Sequence, residues 1–173
     1  MLSRQDILEV MNMTVPAYDA LANRRLLPFK VRGGAGGRFS ETHLLKLGLF
    51  KALAAAGVTQ AVAAQVVDAG FDDFDSFAAV AKRSAGSSFV FGAAGVAANE
   101  GVEWLPLFGL WRPGKPVELA TARGRSLEAE PPVQIVLIDA TKVVGELFAS
   151  ARRLGRSGLE LEKWAAHFRA KVR

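Results

Sequence analysis

The chain has 173 residues, 50% of them hydrophobic, with 22 Lys+Arg against 17 Asp+Glu and no cysteine. That length fits one medium domain or two small ones with apolar content enough for a core, and a charged fraction of 23% argues against wholesale disorder. Zero cysteines exclude a disulfide framework, a thiolate nucleophile, an iron–sulfur cluster and a thiolate zinc site, and His43 and His167 are too few for a histidine-rich metal centre.

The opening Met-Leu-Ser-Arg-Gln-Asp lacks the apolar core of a signal peptide, and no run approaches about 18 uninterrupted apolar residues. The expectation is a soluble, cytoplasmic protein with no membrane partner. Net charge is +5, unevenly spread: residues 24–51 carry seven basic side chains against the single acid Glu41. Residues 71–138 carry six basic and eight acidic side chains, and residues 139–173 eight basic and four acidic. A near-neutral middle between basic ends suggests a modular chain whose early segment meets a polyanion.

In chain order, Ser3 with Asp6 three residues on predicts a capped helix carrying Ile7, Leu8, Val10 and Met11, stopping near Asn12. Thr14 caps a second helix reaching about Arg24, with Pro16 in the first turn, where its missing N–H has no partner to lose. Two short helices and a tight link make a helix-turn-helix candidate. Leu26-Leu27-Pro28-Phe29-Lys30-Val31-Arg32 reads as a short strand, Gly33-Gly34-Ala35-Gly36-Gly37 as a turn, and Arg38-Phe39 as a returning strand, together a basic hairpin. Ser40 caps a third helix ended by Gly57. Thr59 caps a fourth closed by Gly70, and a shorter helical piece over residues 73–83 precedes a Ser/Gly break.

Beyond the break the period changes. Residues 89–91, 102–111, 117–121 and 133–138 are β-rich runs, and residues 124–132 read as a polar loop. The last run is nearly all apolar, as in a buried central strand. Asp139 caps a helix to about Leu154, and an amphipathic helix over residues 159–172 closes the chain. The expected organisation is a DNA-binding domain over residues 1–70, a short helix and linker over 71–86, and an α+β dimerisation or sensing domain over 87–173. The fold class is α+β: a winged helix-turn-helix, then an antiparallel or mixed sheet with terminal helices.

The first 70 residues resemble the winged helix-turn-helix domain of MerR-type regulators and the related phage excisionases. The resemblance rests on Thr14-Val15, Leu26-Leu27-Pro28, Arg38-Phe39-Ser40, the leucines Leu44, Leu47 and Leu53, then Gly57-Val58-Thr59 and Val66-Val67. Two departures stand out. The arginine and paired tyrosines usual in the family's second helix are replaced by Asp19, Ala20 and Leu21, and the long dimerisation helix and cysteine set of the metal sensors are missing. The resemblance implies double-stranded DNA as partner and a homodimer as the working state.

DNA attracts Lys and Arg to its phosphates regardless of sequence, whereas base reading needs side chains on an element that fits the major groove, about 12 Å wide. The expected DNA-binding residues are Thr14, Ala17, Asn23, Arg24, Arg25, Lys30, Arg32 and Arg38. Asn23 suits adenine; Arg24 and Arg25 suit guanine or phosphate; Arg32 and Arg38 suit phosphate or a minor groove. Tyr18 reads as a half-buried helix residue, His43 as a surface or phosphate-facing one, and His167 as packing.

No triad, P-loop or dinucleotide fingerprint is found, since the glycine run lacks a Gly-Lys-Ser/Thr ending and Gly92-Ala93-Ala94-Gly95-Val96 lacks the required spacing. The expectation is therefore no enzyme, with no catalytic, cofactor or metal residues. Trp104, Phe108 and Trp111 read as core before pocket. The function that follows is a sequence-specific, dimeric transcriptional regulator with an unidentified small-molecule or protein effector. The alternatives are a phage-type DNA-architectural or packaging factor, and a small-ligand-binding protein with a DNA-binding adaptor.

Overall fold

Every described α-helix begins where a short oxygen-bearing side chain satisfies an amide that the helix itself leaves unpaired. The computed structural model describes residues 2–30, 39–81, 86–129 and 131–155, and in α1 (Arg4–Val10) the Ser3 hydroxyl accepts from Asp6 N at 3.1 Å. The Asp6 carboxylate accepts from Ser3 N at 2.8 Å, completing a capping box. Thr14 opens α2 (Val15–Asn23), Ser40 opens α3 (Glu41–Ala55), Thr59 opens α4 (Gln60–Val80) and Asp139 opens α5 (Ala140–Arg153). Each such cap contributes about 1 kcal/mol to its helix.

The exits of α1 and α2 share one geometry. Asn12 (φ 47°) and Arg25 (φ 56°) are left-handed, and in both cases paired amides turn back onto the last turn. Met13 N donates to Leu8 O and Leu26 N to Leu21 O, each at 2.9 Å, the hydrogen-bond pattern of a Schellman cap.

Helix α4 corrects one expectation. Gly70 does not close it; the helix runs unbroken to Val80 and absorbs the predicted 73–83 piece. Gly70 is there because β2 (Gly101–Trp111) crosses its backbone: a Cβ at Gly70 would stand 2.2 Å from Pro106 Cβ. Helix propensity alone reads this glycine as a stop, and tertiary packing overrides it.

The sheet is antiparallel throughout. With β1 (Ser88–Ala98), β3 (Glu118–Thr121) and β4 (Pro132–Asp139), its order is β3-β2-β1-β4. The expected β-runs are all present, but β1 continues through Gly92-Ala93-Ala94-Gly95-Val96, which pairs with β2 on one side and β4 on the other. β4 is an edge strand rather than the central one that its apolar run suggested. A 3-10 turn, Ala122–Gly124, follows β3 and meets the predicted polar loop only at Gly124.

Residues alternate across the sheet. Phe89, Phe91, Ala93, Phe108 and Leu110 face the helices, where Phe74 meets Phe91 at 5.3 Å and Phe77 meets Phe108 at 5.5 Å between ring centroids. Ala94, Val96, Leu105 and Leu107 face the other way, packed with Leu119, Leu127 and Leu137. The larger core is continuous from Leu2 to Ala151, joining α1 and α2 to α3, α4, α5 and the sheet. Leu44, Leu47 and Leu53 of α3 are fully buried in it, each contributing about 1.5–3 kcal/mol by removal from water. The α5 stripe also turns inward: Val144, Leu147 and Phe148 are buried, and a Cβ on Gly48 would meet Leu147 at 2.5 Å. No described helix is long and apolar enough to cross a membrane.

Two further expectations change. Leu26 to Lys30 forms no strand, and Phe39 pairs instead with Leu2 in an isolated bridge, with Leu2 N donating to Phe39 O at 2.8 Å. The glycine tip with Arg32 and Arg38, and the 159–172 helix with His167, lie outside the described residues.

Candidate nucleic-acid interface

Helix α2 divides into two faces. Tyr18 and Leu21 are buried, while Pro16, Ala17, Ala20, Asn23 and Arg24 are exposed on the opposite side. Ala17 and Ala20 carry little bulk, so the helix backbone itself can approach a large surface closely. Thr14 is exposed too, but its hydroxyl already accepts from Ala17 N at 3.4 Å, which ties it to the cap.

The acid on this helix is neutralised. Asp19 pairs with Arg4, whose guanidinium also lies 5.0 Å above the Tyr18 ring. That leaves the α2 end without an unpaired carboxylate to repel a phosphate. Tyr18 is more deeply buried than expected, at 4% exposure, and sits edge-on to Phe39 at 6.3 Å. Its hydroxyl has no hydrogen-bond partner among the described residues, and burial pushes its pKa up, partly offset by Arg4.

Beyond α2, the described basic residues of the 24–51 segment fall into two groups. Lys46 is committed to Asp68 at 3.1 Å and to the Phe71 ring at 5.5 Å, and Lys51 Nζ donates to Met11 O at 2.8 Å. Arg24, Arg25 and Lys30 are exposed, and no described residue forms an ion pair with them. Helix α2 and the turn after it therefore bring Thr14, Ala17, Asn23, Arg24, Arg25 and Lys30 onto exposed surface. For Arg32 and Arg38 the described residues carry no placement.

Arg25 is the unusual member. A left-handed residue one past a helix end is ordinarily glycine, because a Cβ there costs about 1–2 kcal/mol. Asn12 fills the equivalent place after α1 with a side chain that tolerates it; Arg25 does not have that excuse.

His43 is half-buried and serves the α3 cap. Its Nδ1 accepts from Ser40 N at 2.9 Å, so it closes the α3 capping box, and its ring lies 4.6 Å from Phe29 and 5.9 Å from Phe39. Burial, then the nearby Lys46 ammonium, lowers its pKa below the ordinary 6.5. Sequence reasoning missed this role, although Ser40 with a polar residue three positions on is a capping-box spacing.

The aromatic trio of the sheet does not assemble into one pocket wall. Phe108 and the half-buried Trp104 face the helices, whereas Trp111, 40% exposed, faces away. A groove of about 480 Å³ does open between α3 and α5 at the end of α1, lined by Val10, Met11, Ala52 and Leu147 and by the charged Lys51, Glu146 and Arg153. Among the described residues no group of three or more His, Asp or Glu is disposed to hold a metal ion. A scan against protein-family models and a search of curated proteins both return no match for this chain.

Proposed function

We propose that the chain is a sequence-specific DNA-binding transcriptional regulator that works as a dimer, with α1 and α2 as a helix-turn-helix of MerR-like type. The observation that carries this reading is the end of α2. There Arg24 and Arg25 are exposed without an acidic partner among the described residues, and Arg25 is held in a backbone conformation that glycine would adopt at lower cost. Strain kept at a charged side chain points to a use for that side chain outside the fold.

In this reading α2 enters the major groove on its alanine-lined face. Asn23 and Arg24 are the base-reading candidates, and Arg25 and Lys30 grip phosphates. Arg32 and Arg38, outside the described residues, are the further phosphate or minor-groove contacts that this reading expects. The groove beside α1 favours an effector-controlled version, because a small ligand held between α3 and α5 would touch the α1 exit at Val10 and Met11.

Arg24→Ala/Arg25→Ala/Lys30→Ala tests the interface directly. The expected outcome is a large loss of affinity for duplex DNA, with the salt slope shallower by about 0.9 for each phosphate contact removed. Unchanged affinity and slope would remove α2 from the interface.

A further inference from the structure

We propose that Asp19 determines sequence preference at this interface: its carboxylate accepts from the N4 amino group of a cytosine in the major groove, and Arg4 is the residue that positions it. The proposal rests on the reading of α2 as the groove-facing helix and adds a base to it.

At about 100° per residue, Asp19 stands about 40° around α2 from Asn23 and about 60° from Pro16. Both of those are exposed, whereas Tyr18 and Leu21 are buried on the other side. Although it is ion-paired, the Asp19 side chain keeps 46% of its exposure. Only Oδ1 is engaged, by the Arg4 guanidinium, and Oδ2 has no partner among the described residues. An acceptor is thus left open on the side of the helix that carries Asn23.

Arg4 is itself held. Its guanidinium lies 5.0 Å from the centroid of the buried Tyr18 ring, and its Nε is buried. The carboxylate is therefore oriented before any ligand arrives, which lowers the ordering cost of binding. An ion pair this exposed contributes little to stability, so orientation is the better account of it. The Arg4 charge also offsets the repulsion that a bare carboxylate would meet among phosphates.

The chemistry selects the base. An ionised carboxylate can only accept. In the major groove guanine offers the acceptors N7 and O6, and thymine the acceptor O4. Adenine sets its N6 amino group beside the acceptor N7, whereas cytosine offers the N4 amino group alone. Asn23, one turn on, suits adenine. The two residues are about 6 Å apart along the helix, under two base-pair steps, so the cytosine falls within two base pairs of the adenine.

Selection of bound duplexes from a random library, run in parallel on wild type, Asp19→Asn and Asp19→Ala, tests this. Wild type is expected to enrich a site with a cytosine at that spacing, and replacing that base pair is expected to weaken binding roughly 5- to 150-fold. Both variants, with wild-type circular dichroism, are expected to bind the rest of the site and lose the preference at that one position. A cytosine preference kept by either folded variant, or an affinity lowered evenly over all sequences, overturns the proposal and leaves the DNA reading standing. A wild-type site without that cytosine does the same. No enriched site for wild type overturns both.

Discussion

Arg25 sets stability and function against each other. At φ 56° its Cβ is a burden on the α2 cap, while its guanidinium stands exposed beside Arg24. Arg25→Gly should therefore raise unfolding stability by about 1 kcal/mol in urea titration and at the same time weaken DNA binding. A variant that gains stability and loses no affinity would leave the strain unexplained. His43 gives a prediction of a different sort. Its folded pKa lies below 6.5, so the unfolded chain binds more protons once pH falls beneath that value. The stability tied to neutral His43 is complete above about pH 6.5 and is lost as pH falls through the lower folded value. Glutamine also accepts from an N-cap amide, so His43→Gln should keep the cap and lose less stability than wild type between about pH 7.5 and about pH 5.5. Equal losses would mean that protonation of His43 does not oppose folding.

Among the elements, α4 and β1 show what local pattern can and cannot reveal. Each of the five described helices starts at a Ser, Thr or Asp that was readable as a cap, because capping is a contact over three residues. The glycines misled. Gly70 looks like a helix end, and Gly92 and Gly95 lie beyond the predicted 89–91 run, yet all three lie within regular elements where another chain segment approaches closely. At Gly92 a Cβ would stand 2.2 Å from Val136 O of β4, a contact invisible along the sequence. Gly70→Ala should accordingly cost about 1–3 kcal/mol through overpacking against Pro106, despite the roughly 1 kcal/mol that alanine's helix propensity returns. Gly145→Ala, with nothing within 4 Å of its added methyl, should instead stabilise by about 0.5–1 kcal/mol. Denaturant midpoints of the two variants moving in the same direction would contradict this account of Gly70.

Across the whole molecule, the larger apolar core joins α1 and α2 to α3, α4, α5 and one face of the sheet. The charge asymmetry of residues 24–51 was legible at once. Its division into structural lysines and exposed arginines was not, because Lys46 and Lys51 are claimed by Asp68 and Met11 from elsewhere in the chain. The candidate site was legible where helix periodicity decides exposure, as for Ala17, Asn23 and Arg24. It was hidden where tertiary packing decides, as for His43 and Tyr18. The central claim is that the α2 surface reads DNA, and selection of bound duplexes from a random library tests it most directly. The predicted result is an enriched inverted repeat, bound tightly at about 50 mM salt and more weakly by orders of magnitude at about 200 mM. No enriched sequence, with binding that is weak and erased by salt, would contradict the claim.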